Sequence, residues 1–204
     1  MTNLYYIHDP MCSWCYAFRE AWSLLQKNLS SDIGVIYLLG GLASDTVAPM
    51  PLTLQQSIQQ AWQKIEQTVP GIQFNWEFWS RNIPIRSTYP ACRAVIAAGK
   101  QYQGAELTMI QAIQAGYYQQ AKNPALQEVL EECADEIGLD TNIFKADLMS
   151  ADVENELQRQ IQLSRNMNVY SYPSLRLVHK EAIYTISIDY VNFRTMLNEI
   201  DRLL

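Results

Sequence analysis

The stretch Cys12-Ser13-Trp14-Cys15 is the part of the chain around which the rest is organised, because it sets two thiols three positions apart. It lies between a short apolar run that ends near Ile7 and a helical pattern that starts near Tyr16. The unpaired N–H groups and positive dipole end of a helix favour a thiolate there. The second thiol, about one turn further along, can then attack a mixed disulfide on the first. The spacing therefore favours redox chemistry.

Two other interpretations of this pair stay open on the residues alone. A structural zinc site needs four ligands, usually a second Cys-x-x-Cys or a histidine pair at short spacing. Cys92 and Cys133 stand alone, and His8 and His179 are far apart in the sequence, so we expect no metal site. The remaining interpretation is a pair of cysteines that are buried and serve only for packing.

The composition describes an ordinary globular protein. Its 204 residues can form one large domain, or one core with a sizeable insertion. The net charge of −6, from 15 basic and 21 acidic residues, argues against a surface that binds nucleic acid. We therefore expect no nucleic-acid partner.

The N-terminal residues lack the basic region and long apolar run of a secretory signal. No stretch is long and apolar enough to span a bilayer. We therefore expect a cytoplasmic protein without membrane contact, in which a Cys-x-x-Cys pair is more often catalytic than structural.

The first forty residues predict a strand, a helix and a strand. Residues 3–8 form a short apolar run, apolar side chains recur at helical spacing over 16–29, and 33–39 are apolar up to a pair of glycines. Such a unit makes a right-handed parallel crossover. The two thiols lie at its first turn.

The residues that follow change in character. From about 53 to 167 the pattern is almost entirely helical, with Asn123-Pro124 predicted to begin one of the helices. Two strands then follow, and a final amphipathic helix is predicted to begin at Asp189. We expect a discontinuous domain of residues 1–45 and 150–204, interrupted by a helical insertion at 46–149.

This order of elements, together with the run Asp9-Pro10-Met11-Cys12-Ser13-Trp14-Cys15-Tyr16, resembles the DsbA family. The run is most similar to FrnE-like members, which include predicted cytoplasmic protein-disulfide isomerases and the related hydroxychromene-carboxylate isomerases. The resemblance implies an α/β, thioredoxin-like fold with a large all-helical insertion.

The resemblance also implies a role for Tyr172-Pro173. Thioredoxin-like proteins carry a cis-proline that faces the active-site cysteine, and the backbone before it pairs with an extended peptide. Tyr172 and Pro173 are therefore candidate substrate-binding residues. The alternative is an ordinary trans proline at the edge of a strand.

Three residues near the motif are weaker candidates. Asp9 is a candidate for tuning the cysteines or relaying protons, although a carboxylate before a helix is more often a turn residue. His8 could affect the charge of the thiolate, or be a satisfied histidine at the end of a strand. Trp14 is a candidate substrate contact, or a packing residue.

The residues and the resemblance together predict a thiol-disulfide oxidoreductase or protein-disulfide isomerase, with Cys12 and Cys15 as its catalytic pair. It would act on disulfide-bonded or thiol-containing proteins or peptides, need no cofactor, and use glutathione as a redox partner. The alternative is a glutathione-dependent isomerase or transferase of the hydroxychromene-carboxylate or kappa type. Those relatives commonly carry serine at the position of Cys12, so the presence of both thiols favours the first function.

Redox exchange needs an attackable sulfur and a protected one. We therefore expect Cys12 to be at least partly exposed and Cys15 to be largely buried. Cys92 and Cys133 are expected to be unpaired.

Overall fold

The computed structural model describes residues 2–204. Its four strands form one sheet in the order β2-β1-β3-β4. β1 is parallel to β2 and antiparallel to β3, which is antiparallel to β4. The strands are β1 (Thr2–His8), β2 (Ile33–Leu39), β3 (Ser174–His179) and β4 (Ala182–Ile186).

Helices account for most of the remaining chain. They are α1 (Ser13–Asn28), α2 (Leu52–Thr68), α3 (Phe78–Arg81), α4 (Tyr89–Gly99), α5 (Ala105–Tyr118), α6 (Gln127–Glu136), α7 (Thr141–Leu148), α8 (Ala151–Asn166) and α9 (Phe193–Leu203). Among residues 2–204, none of the helices has both the length and the apolar character needed to cross a bilayer.

The sheet buries both of its faces, because side chains alternate along a strand. Leu4 and Tyr6 of β1 pack with α1 and α9, in a core that includes Phe18 and Met196. Ile7 packs into a different cluster, together with residues at the end of α8 and beyond it. The β1 strand is therefore central, and its carboxyl end delivers the chain to the dithiol.

The helices between β2 and α8 have a core of their own. Trp62 of α2 is fully buried and stacks on Phe74, with ring centroids 4.6 Å apart. The same core includes Tyr16 of α1, so it continues up to the first turn of that helix. The arrangement is the α/β fold with a helical insertion that the sequence predicts, whereas the exact domain boundaries at 45/46 and 149/150 stay a prediction.

Two predicted helix starts are wrong. Asn123-Pro124 does not begin α6: the Asn123 side chain accepts a hydrogen bond from the Ala125 N–H and forms a turn. Asp189 likewise forms a turn, accepting from the backbone N–H groups of residues 191 and 192, and Asn192 is the residue that caps α9. In both cases the side chain satisfies a nearby backbone group before the helix begins.

Candidate active site

The dithiol occupies the start of α1. Cys12 is the N-cap residue, with extended backbone angles, and Cys15 lies in the first turn. The Cys12 carbonyl accepts the first helical hydrogen bond, from the Tyr16 N–H at 3.0 Å. Both sulfurs therefore lie where the helix presents unpaired N–H groups.

The two thiols differ in acidity because their surroundings differ. The pKa of Cys12 is lowered, chiefly because Cys15 donates a hydrogen bond to its sulfur, and the N–H groups of Cys15 and Trp14 add to this. Burial raises the pKa of Cys15 well above its usual value, and the hydrogen bond to Cys12 raises it further. Cys12 is therefore the thiol that ionises more readily, and Cys15 is the one that keeps its proton.

Cys12 is less open than the sequence led us to expect. Its exposed fraction is 7%, against 1% for Cys15, so both thiols are buried. Cys12 lies in the wall of a cavity of about 320 Å³, which we call the Cys12 cavity. The expectation of a partly exposed Cys12 is corrected because Ile58 of α2 and the loop before Pro173 also form walls of this cavity. A reagent must enter the cavity to reach the sulfur.

The Tyr172–Pro173 peptide bond is cis, and its neighbourhood contacts the dithiol. The Cys12 thiol donates to the carbonyl oxygen of Tyr172 at 3.4 Å. The hydroxyl of Tyr172 donates to the carbonyl oxygen of Gly40, which anchors the ring at the end of β2. Tyr172 is only 8% exposed, so it lines the cavity as a buried residue rather than as a free side chain.

Trp14 is half-buried between two hollows. Its ring packs against Tyr190, with centroids 4.8 Å apart, and it lines the Cys12 cavity on one side. A shallower hollow beside Tyr190 also includes Trp14 in its wall. The indole therefore packs within the fold and also lines the cavity beside Cys12, while a contact with substrate stays a prediction.

Asp9 is completely buried and joins three segments. Its carboxylate accepts from the Met11 and Leu42 N–H groups, each at 2.8 Å, and from the Thr88 hydroxyl at 2.7 Å. The Cys92 thiol donates to it at 3.5 Å. Burial raises the pKa of Asp9, and these hydrogen bonds oppose the increase. Asp9 holds together the loop of the dithiol, the loop after β2 and the start of α4.

Residues 5–192 match the family described as thioredoxin. The chain belongs to the thioredoxin family. The fold implied by the resemblance is confirmed, since a solved structure from Streptomyces coelicolor described as a probable DsbA oxidoreductase shares it, with a TM-score of 0.75 and 16% identity over 99% of this chain and 89% of that one.

Two solved structures show this fold over nearly the whole thioredoxin-family chain. One, from Nitrosomonas europaea, is described as a "putative protein disulfide isomerase": it has a TM-score of 0.85 and 24% identity, over 98% of this chain and 96% of that one. The other is the cytosolic disulfide reductase DsbM from Pseudomonas aeruginosa, with a TM-score of 0.75 and 22% identity over 99% and 100% of the two chains.

Curated relatives of this thioredoxin-family chain include ClpXP adapter proteins SpxH. That of Bacillus subtilis is 28% identical over 177 residues, which is 85% of this chain and 57% of that protein. That of Halalkalibacterium halodurans is 26% identical over 176 residues, 84% and 57% of the two. The chain thus spans little more than half the length of these relatives.

His8 does not line the Cys12 cavity of the thioredoxin-family chain. It is 2% exposed and stacks on Tyr6, with ring centroids 5.0 Å apart. Burial lowers the pKa of His8 to about 4, so the ring is neutral at physiological pH. It therefore adds no positive charge beside the thiolate.

Several contacts of the site were missed in the sequence. Thr88 and Cys92 meet Asp9 from about eighty positions away, and Leu42 does so from the loop after β2. Thr88 is the N-cap of α4, and a Thr-x-Pro start is the one local signal that could have drawn attention to it. Cys92 and Cys133 are both buried free thiols.

Proposed function

We propose that this chain is a thiol-disulfide oxidoreductase whose Cys12 thiolate attacks a disulfide in a protein or peptide client. The observation that carries the proposal is the unequal pair: a Cys12 of lowered pKa at the wall of a cavity, with a Cys15 of raised pKa directly behind it. An acidic thiol attacks and leaves readily, while a buried protonated partner waits to resolve the adduct.

The reaction proceeds in two exchanges. The Cys12 thiolate attacks one client sulfur, the client disulfide breaks, and one client thiolate leaves. Cys15 then loses its proton and attacks the Cys12 sulfur, which releases the second client thiolate and forms the Cys12–Cys15 disulfide. The client gains two electrons. Two molecules of a low-molecular-weight thiol such as glutathione then return the pair to the dithiol and leave as glutathione disulfide.

The direction that we propose is reduction or isomerisation in the cytoplasm. A cytosolic glutathione pool keeps dithiols of ordinary potential largely reduced. DsbM, whose fold this chain shares, is described as a cytosolic disulfide reductase and has been solved with GSH. These descriptions support the proposal that glutathione is the redox partner and that no other cofactor is needed.

The Cys12 cavity suits an extended client segment. At about 320 Å³ it has room for one or two side chains, but not for a folded surface. Its walls combine Trp14 and Ile58 with Arg86, and Tyr170, which is 70% exposed, stands at the same cavity. We propose that client side chains contact Trp14 while the client backbone lies against Tyr172 and Pro173.

The two cysteines should fail differently, and this is the test of the proposal. Cys12→Ser should abolish exchange with a disulfide-bonded peptide, because a hydroxyl does not ionise at neutral pH. Cys15→Ser should accumulate a covalent peptide adduct on Cys12 that added reductant releases. Mass spectrometry of each variant measures this.

Cys133→Ser, a buried thiol outside the site, is the matched control and should behave as the wild type. Adducts on Cys15 in Cys12→Ser, with none on Cys12 in Cys15→Ser, would reverse the roles of nucleophile and resolving thiol. Wild-type exchange in both variants would show that the motif is not the active site.

A second candidate function is protein binding without redox turnover, as in an adapter. The observation that favours it is an exposed apolar patch: Val47, Leu52 and Ile83 are 92%, 74% and 72% exposed. They lie on two segments joined by the bridge between Pro49 and Ile85. Affinity for a protein partner that persists in the double variant Cys12→Ser/Cys15→Ser, and falls in Val47→Ser/Ile83→Ser, would support this candidate.

A further inference from the structure

A second cavity reaches Cys15 from a different direction. It measures about 280 Å³ and lies between β1, α1 and α5, and we call it the Cys15 cavity. Its wall includes Tyr6, His8, Cys15 and Gln114. Cys12 lines the other cavity, so each thiol has a cavity of its own.

Two polar side chains in this wall are largely buried. His8 is 2% exposed and Gln114 is 7% exposed. Within residues 2–204, neither side chain belongs to the polar groups that are sealed from solvent without a partner, so each can be hydrated from the cavity that it lines. A water molecule takes about 30 Å³ of liquid volume and bridges two to four polar groups, so the cavity has room for several waters. His8 and Gln114 are placed to hold them.

Resolution requires the Cys15 proton to leave while a client covers the Cys12 cavity. The nearby carboxylate of Asp9 is poorly suited to take it. A carboxylate has about four lone-pair sites, and Met11, Leu42, Thr88 and Cys92 already donate to it. Taking up another proton would break one of these contacts.

Tyr6 provides a connection from Cys15 to the second cavity. Its pKa is raised well above the usual value, first by burial and also by the charge of and a hydrogen bond with Cys15. The hydroxyl therefore stays protonated, and it can accept a proton from the thiol on one lone pair while donating its own to water. The titratable groups that face Cys15 or its cavity are Tyr6 and His8 on β1, Asp9 in the following loop, Cys12 and Arg19 on α1, Tyr37 on β2, Tyr118 on α5, and Tyr190 after β4.

We propose that the Cys15 cavity is the route by which the Cys15 proton reaches solvent during resolution of the mixed disulfide. The proton passes from the Cys15 sulfur through the Tyr6 hydroxyl to water held by His8 and Gln114. The resulting thiolate attacks the Cys12 sulfur, the bond from Cys12 to the client breaks, and the client leaves as a thiolate. His8 and Gln114 are positioning residues, since they act through the water. The inference rests on the proposed function.

The test separates attack from resolution with dithionitrobenzoate as the disulfide. Attack by Cys12 releases a first thionitrobenzoate, and attack by Cys15 releases a second, so stopped-flow absorbance gives both rates in one experiment. The variants are His8→Leu and Gln114→Leu, which remove polar groups at similar size. His8→Gln keeps a polar group, and Gln162→Leu, on the exposed side of α8, is the matched control.

The expected result concerns the second phase alone. In His8→Leu and Gln114→Leu the rate of the second phase should fall by about tenfold or more. This is smaller than the full effect of general acid–base catalysis, which is about 10²–10⁴-fold. Its pH profile should move to higher pH while that of the first phase stays in place. His8→Gln should retain the second phase, and Gln162→Leu should match the wild type in both.

Two outcomes would overturn the inference: an unchanged second phase in both leucine variants, or equal slowing of the two phases. Absence of the first phase in the wild-type protein would instead contradict the proposed function, so the two failures are distinguishable.

Discussion

Asp9 shows how one side chain can both assemble and tune the site. The pKa of Cys12 is lowered chiefly by the hydrogen bond from Cys15, and the charge of Asp9 acts against that lowering. Asp9 also accepts backbone N–H groups from two loops. The charge of Asp9 therefore makes Cys12 a weaker acid, whereas its hydrogen bonds stabilise the fold around the site.

Asp9→Asn should separate these effects. Loss of the charge should lower the pKa of Cys12, measured as the pH dependence of its alkylation by iodoacetamide. The amide also places a donor opposite another donor, so the free energy of unfolding should fall by about 1–3 kcal/mol. Asp32→Asn, an exposed carboxylate, is the control and should change neither quantity. An unchanged or raised pKa of Cys12 would contradict the assignment.

His8 should make stability depend on pH. Its pKa is about 4 in the folded protein and about 6.5 when unfolded, so the unfolded chain binds the extra proton between these values. Because the folded pKa is depressed, the stabilisation is complete above about 6.5 and is lost as the pH falls toward 4. The loss approaches about 3 kcal/mol, from about 1.36 kcal/mol for each pKa unit. Urea unfolding measures this loss. Between pH 6.5 and pH 4 the free energy of unfolding should fall more in the wild type than in His8→Gln, which has no imidazole to protonate. Parallel curves would contradict it.

At the scale of elements, sequence patterns predicted the features that depend on neighbouring residues alone. The β1–α1–β2 unit and the thiols at its first turn follow from periodicity and spacing within forty residues. The burial of Cys12 does not, because Ile58 and Tyr170 reach the cavity from distant segments. The same applies to the pairing of Thr88 with Asp9, 79 positions apart. No periodicity in a single sequence encodes which helix of the insertion approaches the thiols.

The junction between β2 and the loop before Pro173 depends on a glycine. A Cβ at Gly40 would lie 2.0 Å from the ring of Tyr172, whose carbonyl oxygen accepts from Cys12. Gly40→Ala must therefore displace Tyr172 and should lower the free energy of unfolding by about 1–3 kcal/mol. It should also slow thiol attack by Cys12 on dithionitrobenzoate.

A matched control for Gly40→Ala exists in α5. At Gly116 a Cβ would meet its nearest atom at 3.7 Å, an ordinary contact, so alanine fits there. Gly116→Ala should raise the free energy of unfolding by about 0.5–1 kcal/mol through helix propensity, and leave the attack rate unchanged. Chemical denaturation and stopped-flow absorbance check both variants. A Gly40→Ala protein as stable and as fast as the wild type would show that Tyr172 does not constrain the site.

At the scale of the whole molecule, the insertion and the sheet domain build the Cys12 cavity together. Cys12 and Tyr172 belong to the sheet domain, while Ser57 and Ile58 belong to α2. The thiol chemistry thus comes from one part of the chain, and access to it is limited by another. Selection among disulfides by size and flexibility should follow from this division.

Ser57→Trp tests this division. Ser57 is exposed at the surface of α2 and lines the cavity, so an indole there should narrow the entrance without entering the core. The catalytic efficiency (kcat/KM) for a disulfide-bonded peptide should fall by about tenfold, equivalent to about 1.4 kcal/mol of lost binding. That for hydroxyethyl disulfide, a small reagent, should change far less. Gln60→Trp adds the same indole to an exposed position on the same helix, outside the cavity wall, and should leave both rates unchanged. If Ser57→Trp slowed both substrates equally, the insertion would affect the thiols themselves rather than the entry of the client.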